Sequence, residues 1–199
     1  MNYPLFELQP SAHELASLPS PIFITGTAYC GKSEVANACL RKGIKTAVIG
    51  TAPTAEPEFA VSVQSLRKGR PDGTFEISTP ENLVESLQLA SKNYAQILVD
   101  STSQWLASRL IALQNTMTSL QIYAELEQES RSFVESLQKM TQCRIIIVGA
   151  DTGGGSAPAE SGARMYRRVN CHLNRQLARV SRAVVEVRMG TPILLRSDI

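Results

Sequence analysis

The 199-residue chain lacks most of what would set it apart from an ordinary globular protein. Its four cysteines, Cys30, Cys39, Cys143 and Cys171, are far apart and form no C-x-x-C pair. That argues against a disulfide framework or a zinc knuckle and leads us to expect reduced thiols in a cytoplasm. No apolar run approaches the roughly 20 residues that span a bilayer. The first twenty residues hold no Lys or Arg and no continuous apolar core, so they do not read as a signal peptide. A charge excess is missing too: 20 basic and 18 acidic residues give +2. Such a balance provides no global attraction to nucleic acid or to an anionic membrane. The two histidines, His13 and His172, lack acidic partners at ligand spacing, so neither is assigned to metal or catalysis. With 43% hydrophobic and 19% charged residues, disordered and low-complexity classes are excluded. The length fits one domain, or one domain with an appendage.

What the chain does have is alternation. Apolar, β-branched-rich runs lie at 21–25, 45–50, 74–78, 95–100, 144–149, 183–189 and 192–196. Helical patterns fill the gaps at about 31–43, 55–68, 81–94, 104–116, 118–141 and 160–181. Ile97-Leu98-Val99 and Ile145-Ile146-Ile147-Val148 do not alternate with polar residues, as expected of strands buried on both faces of a mostly parallel sheet. Pro80, followed by Glu81 and Asn82, marks a helix start. Strand and helix together predict a three-layer α/β domain over 21–199. The short Gly190-Thr191 turn predicts an antiparallel C-terminal hairpin. Residues 1–20 read as an extension lying on the domain surface or on a neighbouring subunit. The Gly-rich segment Asp151–Ser161 reads as a flexible loop after a buried strand, where open α/β sheets bind ligands.

The strongest local signal is Gly26-Thr27-Ala28-Tyr29-Cys30-Gly31-Lys32-Ser33, which satisfies G-x-x-x-x-G-K-[S/T]. A chance match in such a length is roughly one in a hundred by average residue usage. The apolar Ile22-Phe23-Ile24 precedes it and a helical pattern follows, the strand–loop–helix setting the motif requires. Gly26 and Gly31 permit the backbone to turn successive N–H groups around a phosphate. The helix N-terminus adds its positive dipole end. Lys32 is expected to reach the β and γ phosphates of ATP or GTP, and the Ser33 hydroxyl to bind Mg²⁺. Cys30, near a helix N-terminus, is either a thiol of lowered pKa or a small filler.

A second metal-side group should end another buried strand, and Gln96-Ile97-Leu98-Val99-Asp100 has that form. Asp100 then holds Mg²⁺ or orients the acceptor; as the alternative, it caps the helix that follows. Between Arg164 and Arg182 the chain carries six arginines. Arg164, Arg168, Arg175, Arg179 and Arg182 fall within roughly a 60° sector of a helix, apart from an apolar arc. Arg164 and Arg168 are expected to contact the triphosphate or a phosphorylated product. Arg175, Arg179 and Arg182 are expected to face solvent or a neighbour. A merely solvated face is the simpler alternative.

Taken in order, these pieces resemble a family. The P-loop is followed by Gly50-Thr51, Glu58-Phe59, Gly69-Arg70-Pro71, then Leu98-Val99-Asp100 through Trp105-Leu106. A Gly-rich loop with Pro158, Arg164-Met165-Tyr166-Arg167, Asn174 and Leu177-Ala178 complete the series. Over residues 21–197 the chain is similar to bifunctional adenosylcobinamide kinase/adenosylcobinamide-phosphate guanylyltransferases of cobalamin biosynthesis. The resemblance implies a RecA-like P-loop fold, a cytoplasmic homotrimer, ATP or GTP with Mg²⁺, and a corrinoid acceptor. It implies nucleotide binding by Gly26, Gly31, Lys32 and Ser33, with Asp100 at the Mg²⁺ or nucleotide side. Departures cluster at the second activity. Ser65 stands where the family has its guanylylated histidine, and Ser62 where it has an Arg. Ala150-Asp151-Thr152-Gly153, Arg167-Arg168 and Asn174-Arg175 also differ from the family pattern. A serine without a base does not replace an imidazole as a GMP carrier. Phosphoryl transfer to adenosylcobinamide is therefore the expected activity, and guanylyl transfer is not. The alternative is a nucleotide-binding regulatory or assembly protein of the same fold, without corrinoid chemistry.

Overall fold

The computed structural model describes residues 10–52, 57–78 and 82–198. The helix start read at Pro80 and Glu81 lies outside the described residues, as do residues 1–9 and the side chains of Glu58, Phe59 and Ser62. In chain order the elements are α1 (Ala12–Ser17), β1 (Ile22–Gly26), α2 (Lys32–Ala38), β2 (Thr46–Gly50), α3 (Pro57–Lys68), β3 (Phe75–Ser78) and α4 (Leu83–Asn93). They continue with β4 (Gln96–Asp100), α5 (Thr102–Leu113), α6 (Ser119–Lys139), β5 (Arg144–Ala150), α7 (Ser161–Val180), β6 (Ala183–Arg188) and β7 (Thr191–Ser197).

The strands form one sheet in the order β3-β2-β4-β5-β1-β6-β7. Every pairing is parallel except β6 with β7, which is antiparallel as the Gly190-Thr191 turn predicts. Successive strand residues point to opposite faces. On one face Phe23, Ile49, Val99, Ile147 and Val184 join Leu87, Leu106, Phe133 and Leu173 of α4–α7. On the other, Ile22, Ile24, Val48, Leu98, Ile146 and Val185 join Leu15 of α1 and Val35 and Ala36 of α2. The central strands are apolar at consecutive positions because each residue of either parity meets a helix layer. Each fully buried aliphatic or aromatic side chain contributes about 1.5–3 kcal/mol.

Helix ends follow local chemistry. Asn82 accepts from Glu85 N at 3.0 Å and starts α4. Thr118 and Gln121 form a reciprocal capping box on α6. The helix expected over 31–43 is shorter, ending at Ala38. The extension packs on the domain through buried Leu15 and Leu18. Arg144 at the start of β5 donates to the carbonyls of Leu18 (2.7 Å), Ala16 (3.0 Å) and Cys39 (3.3 Å).

The sheet topology fixes where ligands meet the fold. β1 and β4 flank β5, so the loops after β1 and β4 open at the same end of the sheet. That carboxyl end is where open α/β sheets form their crevice.

Candidate active site

The loop 26–33 leaves β1 and turns into α2. Gly26 has φ +150°, and a Cβ there would run into the Val187 carbonyl oxygen and the Cys30 sulfur, so only glycine fits. Gly31 has φ +94° and stands at the start of α2 with no side-chain cap. The first-turn N–H groups of α2 thus lack a side-chain cap at the loop, an arrangement that favours an anion. The β6–β7 hairpin braces the loop from outside: Gly190 N donates to Cys30 O at 2.9 Å. Lys32 Nζ donates to the Thr27 carbonyl and lies 3.7 Å from Cys30 Sγ, so Thr27, Cys30 and Lys32 close the loop on itself. Ala28 and Tyr29 line the cleft beside it.

Ser33 and Asp100, 67 residues apart in sequence, are brought together: Ser33 Oγ donates to Asp100 Oδ1 at 3.1 Å. Burial pushes the Asp100 carboxyl pKa up, opposed by the Ser33 hydrogen bond and by the charges of Arg70 and Lys32. Asp100 does not cap the following helix. Ser101 does, accepting from Gln104 N at 3.3 Å, and α5 begins at Thr102 rather than 104. The Gly50-Thr51 landmark has a structural task here. Thr51 Oγ1 donates to Ser101 O at 2.6 Å and accepts from Ser101 N at 2.8 Å, tying the end of β2 to the end of β4.

A cleft of about 690 Å³ runs from the loop past Asp100 toward Ser65, Arg70, Gln104 and Tyr166. Arg70 is the residue the sequence reading left without a role. It forms an ion pair with Glu76 of β3, which Arg67 shares through Nε at 2.6 Å. Its side chain is 7% exposed, and its buried Nε has no partner among the described residues. A largely buried cation in a cleft wall gives that wall positive charge. The Gly-Arg-Pro segment was the available signal, but its meaning depends on β3 bringing Glu76 alongside.

The far wall is α7 and the loop before it. Asn170 and Asn174 each donate to Ala150 O at 2.8 Å, and Asn170 also to Thr152 Oγ1 at 3.0 Å. Asp151 N donates to Gly26 O at 2.8 Å, joining this loop to the phosphate loop. The Tyr166 hydroxyl donates to Ser103 O at 3.2 Å, and burial pushes its phenol pKa up. The arginines have other partners. Arg164 donates to Pro158 O at 3.0 Å and to Ala159 O; Arg167 donates to Ser156 O at 2.7 Å, Gly155 O at 3.1 Å and Gly153 O. Together they hold the carbonyls of the glycine-rich loop. Arg168 lies 5.0 Å from the Tyr123 ring centroid, a cation–π contact across α6 and α7. Neither Arg164 nor Arg168 lines the cleft. Arg175, Arg179 and Arg182 are exposed. His172 does have an acidic partner, Glu127 on α6 at 3.2 Å, which spacing along one helix could not reveal. No metal-binding group of three or more His, Cys, Asp or Glu occurs among the described residues. No helix among them is long and apolar enough to cross a membrane.

Comparison with known proteins agrees with this geometry. A family model described as cobinamide kinase/cobinamide phosphate guanyltransferase matches residues 22–195. The chain is 23% identical over 179 residues to the bifunctional adenosylcobalamin biosynthesis protein CobU of Escherichia coli (strain K12), covering 88% of this chain and 99% of that one. Among solved structures, a Pyrococcus horikoshii OT3 protein aligns with a TM-score of 0.50 at 8% identity, over 89% of this chain and 86% of that one, a likeness of fold alone. The P4 protein of bacteriophage phi6, solved with ADP, aligns at a TM-score of 0.43 and 15% identity, over 96% and 60%. The phosphate loop, the partly buried carboxylate facing its serine and the match over nearly the whole domain converge: the chain is a diverged member of the cobinamide kinase/cobinamide phosphate guanyltransferase family.

Proposed function

We propose that this protein transfers the γ-phosphoryl group of ATP or GTP to a hydroxyl of adenosylcobinamide. The observation that carries the reading is the convergence of Lys32, Ser33 and Asp100 at one cleft. Loose phosphoryl transfer asks for positioning and charge neutralisation more than for a strong base. The backbone of 26–33 cradles the phosphates, and Lys32 exchanges its bond to the Thr27 carbonyl for the β- and γ-phosphate oxygens. Arg70, paired with Glu76, adds a positive charge to the cleft wall beyond the loop. Tyr166 and Gln104 bound the space where the acceptor approaches.

The residues fit a divalent cation. Ser33 Oγ and Asp100 Oδ1 form an adjacent pair of hard oxygen donors, and Asp100 is a partly buried carboxyl with no salt-bridge partner among the described residues. Ser33 and Asp100 would hold a Mg²⁺ ion, which when bound would supply neutralisation of the charge developing on the phosphates.

Ser65 is exposed and lines the same cleft, at the position that the family resemblance gives to the guanylylated histidine. A hydroxyl without a neighbouring base makes no competent GMP carrier. The first half-reaction is accordingly the one we assign. Incubation of the chain with Mg²⁺, adenosylcobinamide and either nucleotide, followed by mass analysis of the corrinoid, tests it. A phosphorylated corrinoid is expected, and no GDP-linked product from GTP. Nucleotide binding without any modified corrinoid supports instead a regulatory or assembly protein, the reading favoured by the altered residues around Ser65.

A further inference from the structure

Two large apolar side chains beside the phosphate loop are almost wholly in water. Tyr29, on the loop itself, is 94% exposed, and Met189, at the β6–β7 hairpin tip, is 95% exposed. Both occupy left-handed backbone, at φ +56° and +49°, and no other described non-glycine residue does so. Such a conformation is disfavoured for side chains of this kind, and so is their exposure. Neither residue is isolated from the other's element. Gly190, next to Met189, donates to the carbonyl of Cys30, next to Tyr29, at 2.9 Å. A Cβ added to Gly31 would lie 3.3 Å from Gly190 Cα, so loop and hairpin are packed backbone to backbone.

Their place in the sheet says what they face. Asp100 ends β4, two strands from β1 on one side, while the hairpin tip follows β6, adjacent to β1 on the other side. Ser33 and Asp100 meet on one side of the loop, the side where these residues would hold a cation beside the β- and γ-phosphates of a bound nucleotide. A nucleotide laid across the loop with its γ-phosphate toward Asp100 directs its sugar and base the opposite way, toward β6 and the hairpin.

We infer that Tyr29 and Met189 form a seat for the purine base of the bound nucleotide, an inference that rests on the nucleotide-dependent reading above. The Tyr29 ring gives a stacking face and Met189 a polarisable thioether, both suited to a flat heteroaromatic ring. Glu186, the hairpin's carboxylate, is taken up by Arg188 at 2.7 Å. What the seat offers is thus ring contact without base-edge readout, and it accepts adenine and guanine alike. Binding would give the two side chains, which their backbone conformation leaves in water rather than in the core, a partner.

Calorimetry on the full chain with ATP, GTP and inorganic tripolyphosphate, each with Mg²⁺, tests the seat. Tyr29→Asn keeps a residue tolerant of left-handed backbone while removing the ring. It should weaken ATP and GTP about tenfold, the scale of one lost base–aromatic stack. Met189→Asn should weaken both by a smaller factor, and Tyr29→Phe should match the wild type. Tripolyphosphate affinity should be the same in all four proteins. Unchanged nucleotide affinity in Tyr29→Asn overturns the seat, as does an equal loss for tripolyphosphate, which would mean a disturbed loop. Wild-type protein that binds none of the three ligands overturns the nucleotide reading itself, and the seat with it.

Discussion

Single residues decide whether the phosphate loop works. Lys32→Ala removes the only loop side chain able to bring a full positive charge to the phosphates. Charge-assisted contacts to phosphate are roughly twice as strong as neutral ones, so nucleotide affinity should fall at least about tenfold while thermal stability is unchanged. Calorimetry beside a melting curve reads both. Ser65 gives a negative expectation: no acid-labile GMP adduct should map to residues 60–70 after incubation with labelled GTP. Such an adduct, found by denaturing mass spectrometry, would restore the second half-reaction. The loop was legible in the sequence because its chemistry is local: eight consecutive residues define it, and Asp100 announces itself at the end of an apolar run. Arg70 was not legible as a cleft residue, because its burial depends on Glu76 from β3. Arg164 and Arg168 were drawn toward the nucleotide by their helical sector alone. Rotation about a helix axis gives direction but not distance; in the structure Arg164 holds the carbonyls of 158–159 and Arg168 the Tyr123 ring.

At the scale of elements, two junctions hold the site in place. The first is β5 against α7 and β1. A Cβ on Gly149 would stand 2.7 Å from Asn174 Oδ1 and 2.9 Å from Phe23 Cε2. Gly149→Ala should therefore cost about 1–3 kcal/mol by overpacking, and displace Asn174 from the Ala150 carbonyl. Denaturant unfolding measures the first effect. The second junction is Arg144, which ties the segment 10–20 to β5 through three carbonyls. Burial, reinforced by Arg41, draws its pKa down to about 10. A base whose pKa is lowered in the fold is penalised when charged, and that penalty fades only as pH rises beyond about 10. At neutral pH the carbonyl bonds must offset it. Arg144→Ala should remove about 2–3 kcal/mol and open the N-terminal segment to proteolysis, with nucleotide affinity retained. Limited proteolysis with mass mapping shows whether cleavage concentrates before Pro21. The central strands were readable from apolar runs, since they lie between two helix layers and are apolar on both faces, whereas the edge strands β3 and β7 are largely exposed. Helix starts were less readable: α5 begins at Thr102, two residues before the expected 104, with Ser101 as its cap.

For the whole molecule, the family resemblance leads us to propose a homotrimer, with the exposed Arg175, Arg179 and Arg182 facing acidic groups of a neighbour. Light scattering at micromolar concentration should give three times 21.7 kDa, and a monomer would count against it. The topology itself followed from alternation of strand and helix. The strand order did not, because pairing β1 with β5 and β6 joins segments more than a hundred residues apart. That order is what places Ser33 opposite Asp100 and the hairpin behind the loop. The account as a whole stands on phosphoryl transfer at this crevice. The most direct measurement is the corrinoid product formed from adenosylcobinamide, ATP and Mg²⁺ by wild type and by Lys32→Ala. The account predicts a phosphorylated corrinoid with stoichiometric ADP from the wild type and none above background from the variant. ATP binding by the wild type with the corrinoid left unmodified would contradict it.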